Sequence, residues 1–337
     1  MLQRFEQLLS KKQEFFLLRF FIQPFLFFLS ILSYCYSFVM TLRNLCYDLG
    51  ILKHVKLSMP VISIGNITTG GTGKTPITMF FIENLGIKKN KITVISKGYR
   101  ALKKRKSPFI ACEGRGPCVS FEECGDEPFL ISKKYPDITM VIASKKWQAA
   151  VLAQKNSPKC VIIDDAFQHR ALYRDYNIVV INTRDPFSNG YVLPRGKLRE
   201  PLKGLARADF IIFHNANSKE DVLSLLPKVT RHTKAPWICT KVLIKGVYLN
   251  KTRDPVPLEG KKVGVFCALG DPSSFFQTVE SLGCSIVKKA VFSDHEQISL
   301  ATLEGFAKEA YRLGAEFIVS TEKDLVKYSF QNLGSLP

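Results

Sequence analysis

The feature that most constrains this chain is a glycine-rich run, Gly65–Pro76, with the sequence GNITTGGTGKTP. It follows an apolar run typical of a buried strand, Val61–Gly65, and precedes a stretch of helical character. Glycines at such a turn let the backbone curl around a phosphate with several N–H groups pointing inward, and the helix N-terminus adds partial positive charge. The run therefore predicts a loop that binds the phosphates of a nucleoside triphosphate.

The loop residues predicted to contact the nucleotide are Thr68, Thr69, Gly70, Gly71, Thr72, Gly73, Lys74 and Thr75. We expect the Lys74 ammonium to reach the β- and γ-phosphates and the Thr75 hydroxyl to ligate Mg²⁺. The usual pattern of such loops, G-x-x-x-x-G-K-[ST], has glycine where this chain has Thr68. A glycine-rich turn without a ligand is the competing interpretation, and the strand-to-helix context argues against it.

Two adjacent carboxylates, Asp164 and Asp165, end another apolar run that begins at Val161. At the carboxyl edge of a parallel sheet they would lie near the loop, where such nucleotide-binding proteins hold Mg²⁺ with a carboxylate. The competing interpretation is a helix cap followed by a surface acid. Acceptance of the phosphate loop favours the metal-binding interpretation.

Two further acidic segments are candidates for proton transfer. Asp126 stands at a probable helix start, and the residue types leave a helix cap and a general base for a hydroxyl nucleophile equally open. Asp294 and His295 can also exchange protons. Because they lie far along the chain, their role depends on two domains facing each other.

Short apolar runs alternate with helical stretches after Met59, and continuous hydrophobicity suits strands buried on both faces of a parallel sheet. The first set of predicted strands is Val61–Gly65, Ile92–Ser96, Ile138–Ala143, Cys160–Ile163, Asn177–Ile181 and Asp209–Phe213. The helices between them are predicted at Thr75–Leu85, Glu127–Lys134, Lys145–Gln154 and Lys219–Leu226. This alternation is the βαβ rhythm of a doubly wound sheet.

A second set of elements begins near Trp237. Its predicted strands are Ile238–Leu249, Lys262–Ala268, Ser285–Phe292 and Glu316–Ser320, with helices around Pro272–Leu282 and Leu300–Leu313. The sequence thus predicts an α/β fold: a P-loop NTPase-like, mostly parallel sheet domain (58–230), a hinge (227–236) and a second, smaller α/β domain (237–337), preceded by an N-terminal membrane-associated helix (1–57).

That N-terminal segment has no charged residue from Phe20 to Leu42, long enough for a membrane-spanning helix. Polar residues recur at helical spacing within it, at Ser30, Tyr34, Ser37 and Thr41, with Gln23 and Ser33 on or near the same stripe. Basic residues flank both ends, and the positive-inside bias would keep both flanks in the cytoplasm. We therefore expect a helix lying in the membrane interface; a buried hairpin of a soluble domain is the alternative, and a cleaved signal peptide is not expected.

The formal net charge of +19 suits three kinds of partner: nucleic acid, an anionic membrane surface or a phosphorylated substrate. The basic residues form small scattered groups, such as Lys145–Lys146, and most read as solvated surface. No module of interleaved basic and aromatic residues indicates nucleic-acid binding. The nine cysteines include no C-x-x-C pair, so we expect free thiols in a reducing cytoplasm.

Together these segments resemble the tetraacyldisaccharide 4′-kinase family, the lipid A 4′-kinases, over nearly the whole chain. The segments that carry the resemblance are Gly65–Asn66, Gly70–Pro76, Ser96–Arg100, Gly125–Pro128, Asp164–His169, Leu193–Pro201, Asp294–His295 and Thr321–Asp324. The chain departs from the family pattern at Ala166, Arg195, Lys197 and Glu296. It also ends soon after Lys327, where the family tends to continue, so a shortened C-terminus is expected.

The resemblance implies transfer of the ATP γ-phosphoryl group to the 4′-hydroxyl of a tetraacylated glucosamine disaccharide 1-phosphate, at the cytoplasmic face of the inner membrane. It implies Asp126 as the base, assisted by His295, and Lys74 acting in the loop. It also implies Arg199 near the phosphates and Glu200 with Thr75, Asp164 and Asp165 at Mg²⁺. No nucleic acid and no obligate protein partner is implied.

Two other functional classes compete with a lipid kinase. A membrane-positioning ATPase would share the loop, but such proteins carry a lysine before the paired glycines, where this chain has Thr69. A GTPase switch would need a guanine-reading Asn/Thr-Lys-x-Asp, and Thr321–Asp324 has glutamate in the second place. Lipid-independent hydrolysis of the nucleotide would favour either of these over the kinase.

Overall fold

The computed structural model describes residues 16–326 and 328, except positions 100, 103–104, 217, 250–251, 253 and 294–297, and side chains from residue 22 onward. The chain groups into two compact units, 1–97 with 145–242, and 98–144 with 243–337. The domains predicted at 58–230 and 237–337 are each continuous in sequence, and these units are not. That 58–230 and 237–337 fold as separate domains therefore stays a prediction.

The first unit contains a long N-terminal helix and an α/β layer structure. Its helices are α1 (Phe16–Asp48), α2 (Lys74–Asn84), α5 (Lys146–Gln154), α6 (Lys219–Leu223) and α7 (Leu226–Thr230). Its strands are β1 (Val61–Gly65), β2 (Ile92–Ser96), β5 (Cys160–Asp164), β6 (Tyr176–Asn182), β7 (Phe210–His214) and β8 (Trp237–Thr240). Short 3₁₀ turns lie at Lys89–Lys91 and Leu202–Arg207.

All six strands of this unit run parallel, in the order β2-β5-β1-β6-β7-β8. Every residue of β1, β2 and β5 is buried, which explains their uninterrupted apolar character. The register pairs Ile64 with Asp164, so β1 and β5 end side by side. The sheet therefore brings Gly65 and Asp164 to one carboxyl edge, as predicted.

The second unit contains an antiparallel strand pair and a small parallel sheet. Its strands are β3 (Phe109–Glu113), β4 (Thr139–Ile142), β9 (Lys262–Cys267), β10 (Ser285–Val291) and β11 (Phe317–Val319). Its helices are α3 (Phe121–Cys124), α4 (Asp126–Lys134), α8 (Pro272–Glu280), α9 (Leu300–Arg312) and α10 (Glu322–Leu325). The pair is β3-β4, and the parallel sheet has the order β10-β9-β11.

Most predicted elements are confirmed to within about two residues, one predicted strand is wrong, and one strand was not predicted. The sequence assigned Ile238–Leu249 to a strand of the second domain, but only Trp237–Thr240 is a strand, and it pairs with β7 of the large sheet. Apolar residues continue beyond it to Leu249 without regular structure. The strand β3 was not predicted, because Phe109–Glu113 is a short run interrupted by small and charged residues.

Helix α1 is 33 residues long and is the one helix within the described residues that is long and apolar enough to cross a membrane, by length and composition alone. Only 17% of its most apolar window is buried, so the alternative of a buried hairpin is wrong. Its exposed large apolar side chains form what we term the apolar face: Phe25, Phe27, Phe28, Ile31, Leu32, Phe38, Val39 and Leu42.

The opposite side of α1 packs against the rest of the first unit through polar residues. The Ser33 hydroxyl donates to the carbonyl of Val192, and Arg195 Nη1 donates to Ser30 Oγ over 2.6 Å. Of the six polar positions predicted on or near one stripe, Ser30 and Ser33 are buried, whereas Gln23, Tyr34 and Thr41 are exposed. The docked stripe therefore matches the predicted one in part, and its polar groups are used by the protein itself.

Candidate active site

The phosphate loop depends on glycine at two positions. Gly70 (φ 100°) and Gly73 (φ 81°) both adopt the left-handed backbone region, where other residues are strained. At Gly73 an added Cβ would also meet the buried His214 imidazole at 2.1 Å, so α2 begins in close contact with the end of β7. Both constraints agree with a loop whose backbone is shaped to surround an anion.

Thr68 occupies the position where the usual pattern has glycine, and its surroundings explain why glycine is not needed. Thr68 forms an antiparallel bridge with Leu198, which is extended backbone that any residue adopts. On either side of that bridge, the Thr69 amide donates to the Lys197 carbonyl (2.7 Å) and the Arg199 amide to the Ile67 carbonyl (2.8 Å). The first half of the loop is thus paired to the segment carrying Arg199 and Glu200.

Lys74 is the first residue of α2, and its side chain is mostly covered. Its ammonium lies 3.4 Å from Thr72 Oγ1 and 3.5 Å from Asp165 Oδ1. Thr72 in turn accepts a hydrogen bond from Asn66 Nδ2 over 2.8 Å. The structure therefore confirms the closeness of the loop lysine and the β5 carboxylates expected from the topology.

The two carboxylates at the end of β5, Asp164 and the following Asp165, have different surroundings. Asp164 ends the strand and is buried, whereas Asp165 has a left-handed backbone (φ 51°) and pairs with Arg199 Nη1 at 2.7 Å. Burial alone would raise the pKa of Asp165, but the charges of Lys74, Arg199 and Lys146 outweigh it and hold that pKa well below its usual range. Asp165 is therefore an anion at any physiological pH.

The sequence context of Lys146 suggested a solvated surface lysine, but the structure shows that its side chain is buried. It is 4% exposed, and its ammonium donates to the backbone carbonyls of Asp164 and Asp165. Burial lowers its pKa to about 8, although the two nearby carboxylates oppose the shift. Lys146 therefore stabilises the backbone that carries the Asp164 and Asp165 carboxylates.

Glu200 is fully buried and surrounded by donors. Its Oε2 accepts from Arg207 Nη2 (2.7 Å) and Asn44 Nδ2 (3.0 Å), and its Oε1 accepts from Gln168 Nε2 (2.9 Å). These donors use three of the about four acceptor positions of a carboxylate. Glu200 therefore holds its neighbours in place, and the direct Mg²⁺ ligation implied by the resemblance stays a prediction.

The predicted proton-transfer residues lie elsewhere in the chain. Asp126 is the first residue of α4 in the second unit, where it is buried and follows Gly125, whose φ is 89°. His295 lies outside the described residues. Its assistance to Asp126, and the basic role of Asp126 itself, stay predictions.

Sequence reasoning assigned no role to several residues that shape this edge of the sheet. Gln168 Nε2 donates both to Glu200 and to the Asn66 carbonyl (2.9 Å), which ties the β5 segment to the phosphate loop. Burial first, and then the charge of Lys146, lowers the pKa of the neighbouring His169 to about 4, so this imidazole is neutral at physiological pH. In the sequence, the one signal for this role of Gln168 is its position shortly after the adjacent carboxylates Asp164 and Asp165.

This edge of the first unit combines the parts needed to hold a triphosphate: a backbone cradle, a lysine at a helix start, an arginine and two carboxylates. The cations Lys74, Lys146 and Arg199 surround Asp165. Within the described part of the chain, no group of three His, Cys, Asp or Glu side chains could hold a metal by itself.

Comparisons with known proteins agree with this geometry. The family model described as LpxK, tetraacyldisaccharide-1-P 4'-kinase, matches residues 25–335. A tetraacyldisaccharide 4'-kinase of Syntrophus aciditrophicus is 35% identical over 93% of this chain and 87% of its own length. That of Halothermothrix orenii is 33% identical over 90% and 83%. The crystal structure of LpxK from Aquifex aeolicus in complex with ATP matches with a TM-score of 0.69 and 32% identity, over 93% of this chain and 91% of that one.

Proposed function

This chain belongs to the tetraacyldisaccharide-1-P 4'-kinase family, and we propose that it catalyses that reaction. ATP would donate its γ-phosphoryl group to the 4′-hydroxyl of a tetraacylated glucosamine disaccharide 1-phosphate, giving lipid IVA in lipid A biosynthesis. The observation that carries the proposal is the meeting of Lys74, Asp165 and Arg199 beside the phosphate loop. A family relative whose structure contains ATP supports the choice of nucleotide.

The proposed roles follow from chemistry at the phosphates. Loop amides and Lys74 would bind the β- and γ-phosphates, and Arg199 would add positive charge where negative charge develops during transfer. A sugar hydroxyl is a weak nucleophile, so it needs a base, and we assign that role to Asp126 assisted by His295. Exclusion of water from the site would limit wasteful ATP hydrolysis.

The ligand types at this edge fit Mg²⁺. The Thr75 hydroxyl and the Asp164 and Asp165 carboxylates are hard oxygen donors, and Mg²⁺ in kinases is commonly held by one or two carboxylates with substrate phosphates. When bound, the ion would neutralise phosphate charge. We assign Thr75, Asp164 and Asp165 as candidate ligands, with Glu200 as a fourth candidate.

We also propose that α1 lies in the cytoplasmic face of the inner membrane as a monotopic helix. Its apolar face offers large exposed side chains, while its polar stripe already contacts protein. An acylated substrate must be met at the bilayer surface, and the net charge of +19 favours anionic lipid.

The reaction is tested with purified protein, Mg-ATP and the disaccharide lipid in mixed micelles. We expect one added phosphate by mass spectrometry, located on the 4′-oxygen by NMR, and no product from an otherwise identical acceptor that lacks the 4′-hydroxyl. Asp126→Ala should lose product formation while retaining ATP binding by calorimetry. ATP hydrolysis that ignores the lipid would overturn the kinase proposal in favour of a positioning ATPase or a GTPase-like switch.

A further inference from the structure

The docked stripe of α1 touches the residues that frame the phosphate loop. Asn44 Nδ2 donates to Glu200 Oε2 over 3.0 Å, and the Tyr36 hydroxyl donates to the Arg199 carbonyl over 2.9 Å. Arg43 Nη2 donates to the Gln168 carbonyl over 3.0 Å. Helix α1 is therefore hydrogen-bonded to three residues that frame the site, Gln168, Arg199 and Glu200.

From Asn44 the path to the phosphate loop is two side chains long. Asn44 contacts Glu200, Glu200 contacts Gln168, and Gln168 donates to the carbonyl of Asn66 at the start of the loop. The backbone of Glu200 is joined directly to Arg199, whose guanidinium pairs with Asp165. A shift of the Glu200 side chain is therefore passed both to the loop and to the arginine.

Burial makes the Asn44 contact consequential. A carboxylate with no exposed surface, such as Glu200, is tolerated only when its oxygens are fully supplied with donors. Loss of one donor leaves the group partly unsatisfied, and the surrounding side chains move to compensate. Phosphoryl transfer is sensitive to such movement, because its acceleration depends mainly on placement of charges and reactants.

We propose that Asn44 is a positioning residue for phosphoryl transfer, acting through Glu200 on Arg199 and the phosphate loop, with Tyr36 as a weaker second contact. The inference rests on the proposed function, since it concerns the rate of the same reaction. Helix α1 would then help to set the geometry of the active site as well as place the protein at the membrane. In the simpler alternative, Asn44 only attaches the helix to the rest of the protein.

The test compares Asn44→Leu, which is similar in size but cannot donate, with the matched control Thr41→Leu on the same helix. Thr41 is exposed, and its hydroxyl donates to the carbonyl of Ser37 within the helix. Steady-state kinetics with the disaccharide lipid, co-sedimentation with anionic vesicles and thermal unfolding are measured for both. We expect kcat of Asn44→Leu to fall about tenfold, with KM for the lipid and vesicle binding within twofold of the wild type, and Thr41→Leu to match the wild type.

A double variant separates positioning from attachment. If Asn44 acts through Glu200, Asn44→Leu should lower kcat by less than twofold when introduced into Glu200→Gln, and Tyr36→Phe alone should lower kcat about threefold. An unchanged kcat in Asn44→Leu, a loss confined to KM and vesicle binding, or a full tenfold loss on top of Glu200→Gln would each overturn the inference. A wild type that is itself inactive on the lipid would instead overturn the proposed function.

Discussion

The phosphate-loop edge of the first unit and the apolar face of α1 are built in opposite ways. The edge is held by directional contacts, such as the 2.7 Å pair of Asp165 with Arg199 and the 2.7 Å bond from Thr69 to Lys197. The apolar face has large exposed side chains, for example Phe27 and Phe38. Placement of charge governs chemistry, whereas apolar area governs adhesion to a lipid surface. Changes in the two regions should therefore alter different kinetic constants.

The largest effect is expected from the loop lysine. Lys74→Ala removes the cation at the start of α2, 3.5 Å from Asp165, and product formation should fall by about 100-fold or more because a preorganised charge at the phosphates is lost. Vesicle binding should stay at the wild-type level. Asn84→Ala, at the exposed end of the same helix, is the control. A loss of vesicle binding in Lys74→Ala would erase the distinction between the two regions.

The reciprocal experiment changes the apolar face. Phe27→Ser with Phe38→Ser should weaken partitioning into vesicles by about tenfold for each phenylalanine, since each buried side chain contributes roughly 1.5–3 kcal/mol. The apparent KM for lipid should rise in parallel, with kcat retained at saturating lipid. Leu313→Ser, an exposed leucine at the end of α9, should change neither. A fall in kcat alone would show that this face serves catalysis.

Arg199 tests whether geometry matters at the loop edge beyond charge. Arg199→Lys keeps the positive charge but loses the planar guanidinium that pairs with Asp165. We expect kcat to fall about tenfold, with vesicle binding unchanged. Arg231→Lys, on an exposed part of the same unit, is the matched control. Full activity in Arg199→Lys would mean that charge alone suffices.

The last effect concerns stability and not catalysis: a pH dependence caused by Lys146. Its pKa falls to about 8 in the folded protein, below the ordinary lysine value, because of burial. Between that value and the unfolded pKa the unfolded chain binds more protons, so stability should rise with pH, by roughly 2 kcal/mol between pH 8 and pH 10. Urea unfolding of wild type and Lys146→Met at both pH values isolates this contribution.

An equal pH response in the two proteins would contradict the assignment of the shift to Lys146. No such response is expected from the apolar face, which carries no titratable group of this kind among its eight members. The loop edge is shaped by ionisable side chains, whereas the eight residues of the apolar face include none.

The sequence allowed prediction of the parts whose signal is local. The strands β1, β2 and β5 are buried throughout, so their uninterrupted apolar runs were recognisable. The loop was predictable because glycine is required at Gly70 and Gly73 by the backbone itself. Parallel topology then predicted that Asp164 would end beside it.

Features set by tertiary packing were not predictable in the same way. Lys146 sits in a lysine pair that resembles solvated surface, and only the fold shows that it is buried against the β5 carbonyls. The docked stripe of α1 was predicted only in part, at Ser30 and Ser33, because serines and tyrosines within an apolar run do not reveal which side meets protein. Thr68 looked like a departure from the loop pattern until its bridge to Leu198 was known.

The most direct test of the account follows the γ-phosphate of labelled ATP with and without the disaccharide lipid in anionic mixed micelles. Label in the lipid and label released as free phosphate are counted in the same reaction. We predict that most of the transferred label enters the lipid, and that release without lipid is at least about 100-fold slower. Equal release of free phosphate with and without the lipid, and no labelled lipid, would contradict the account.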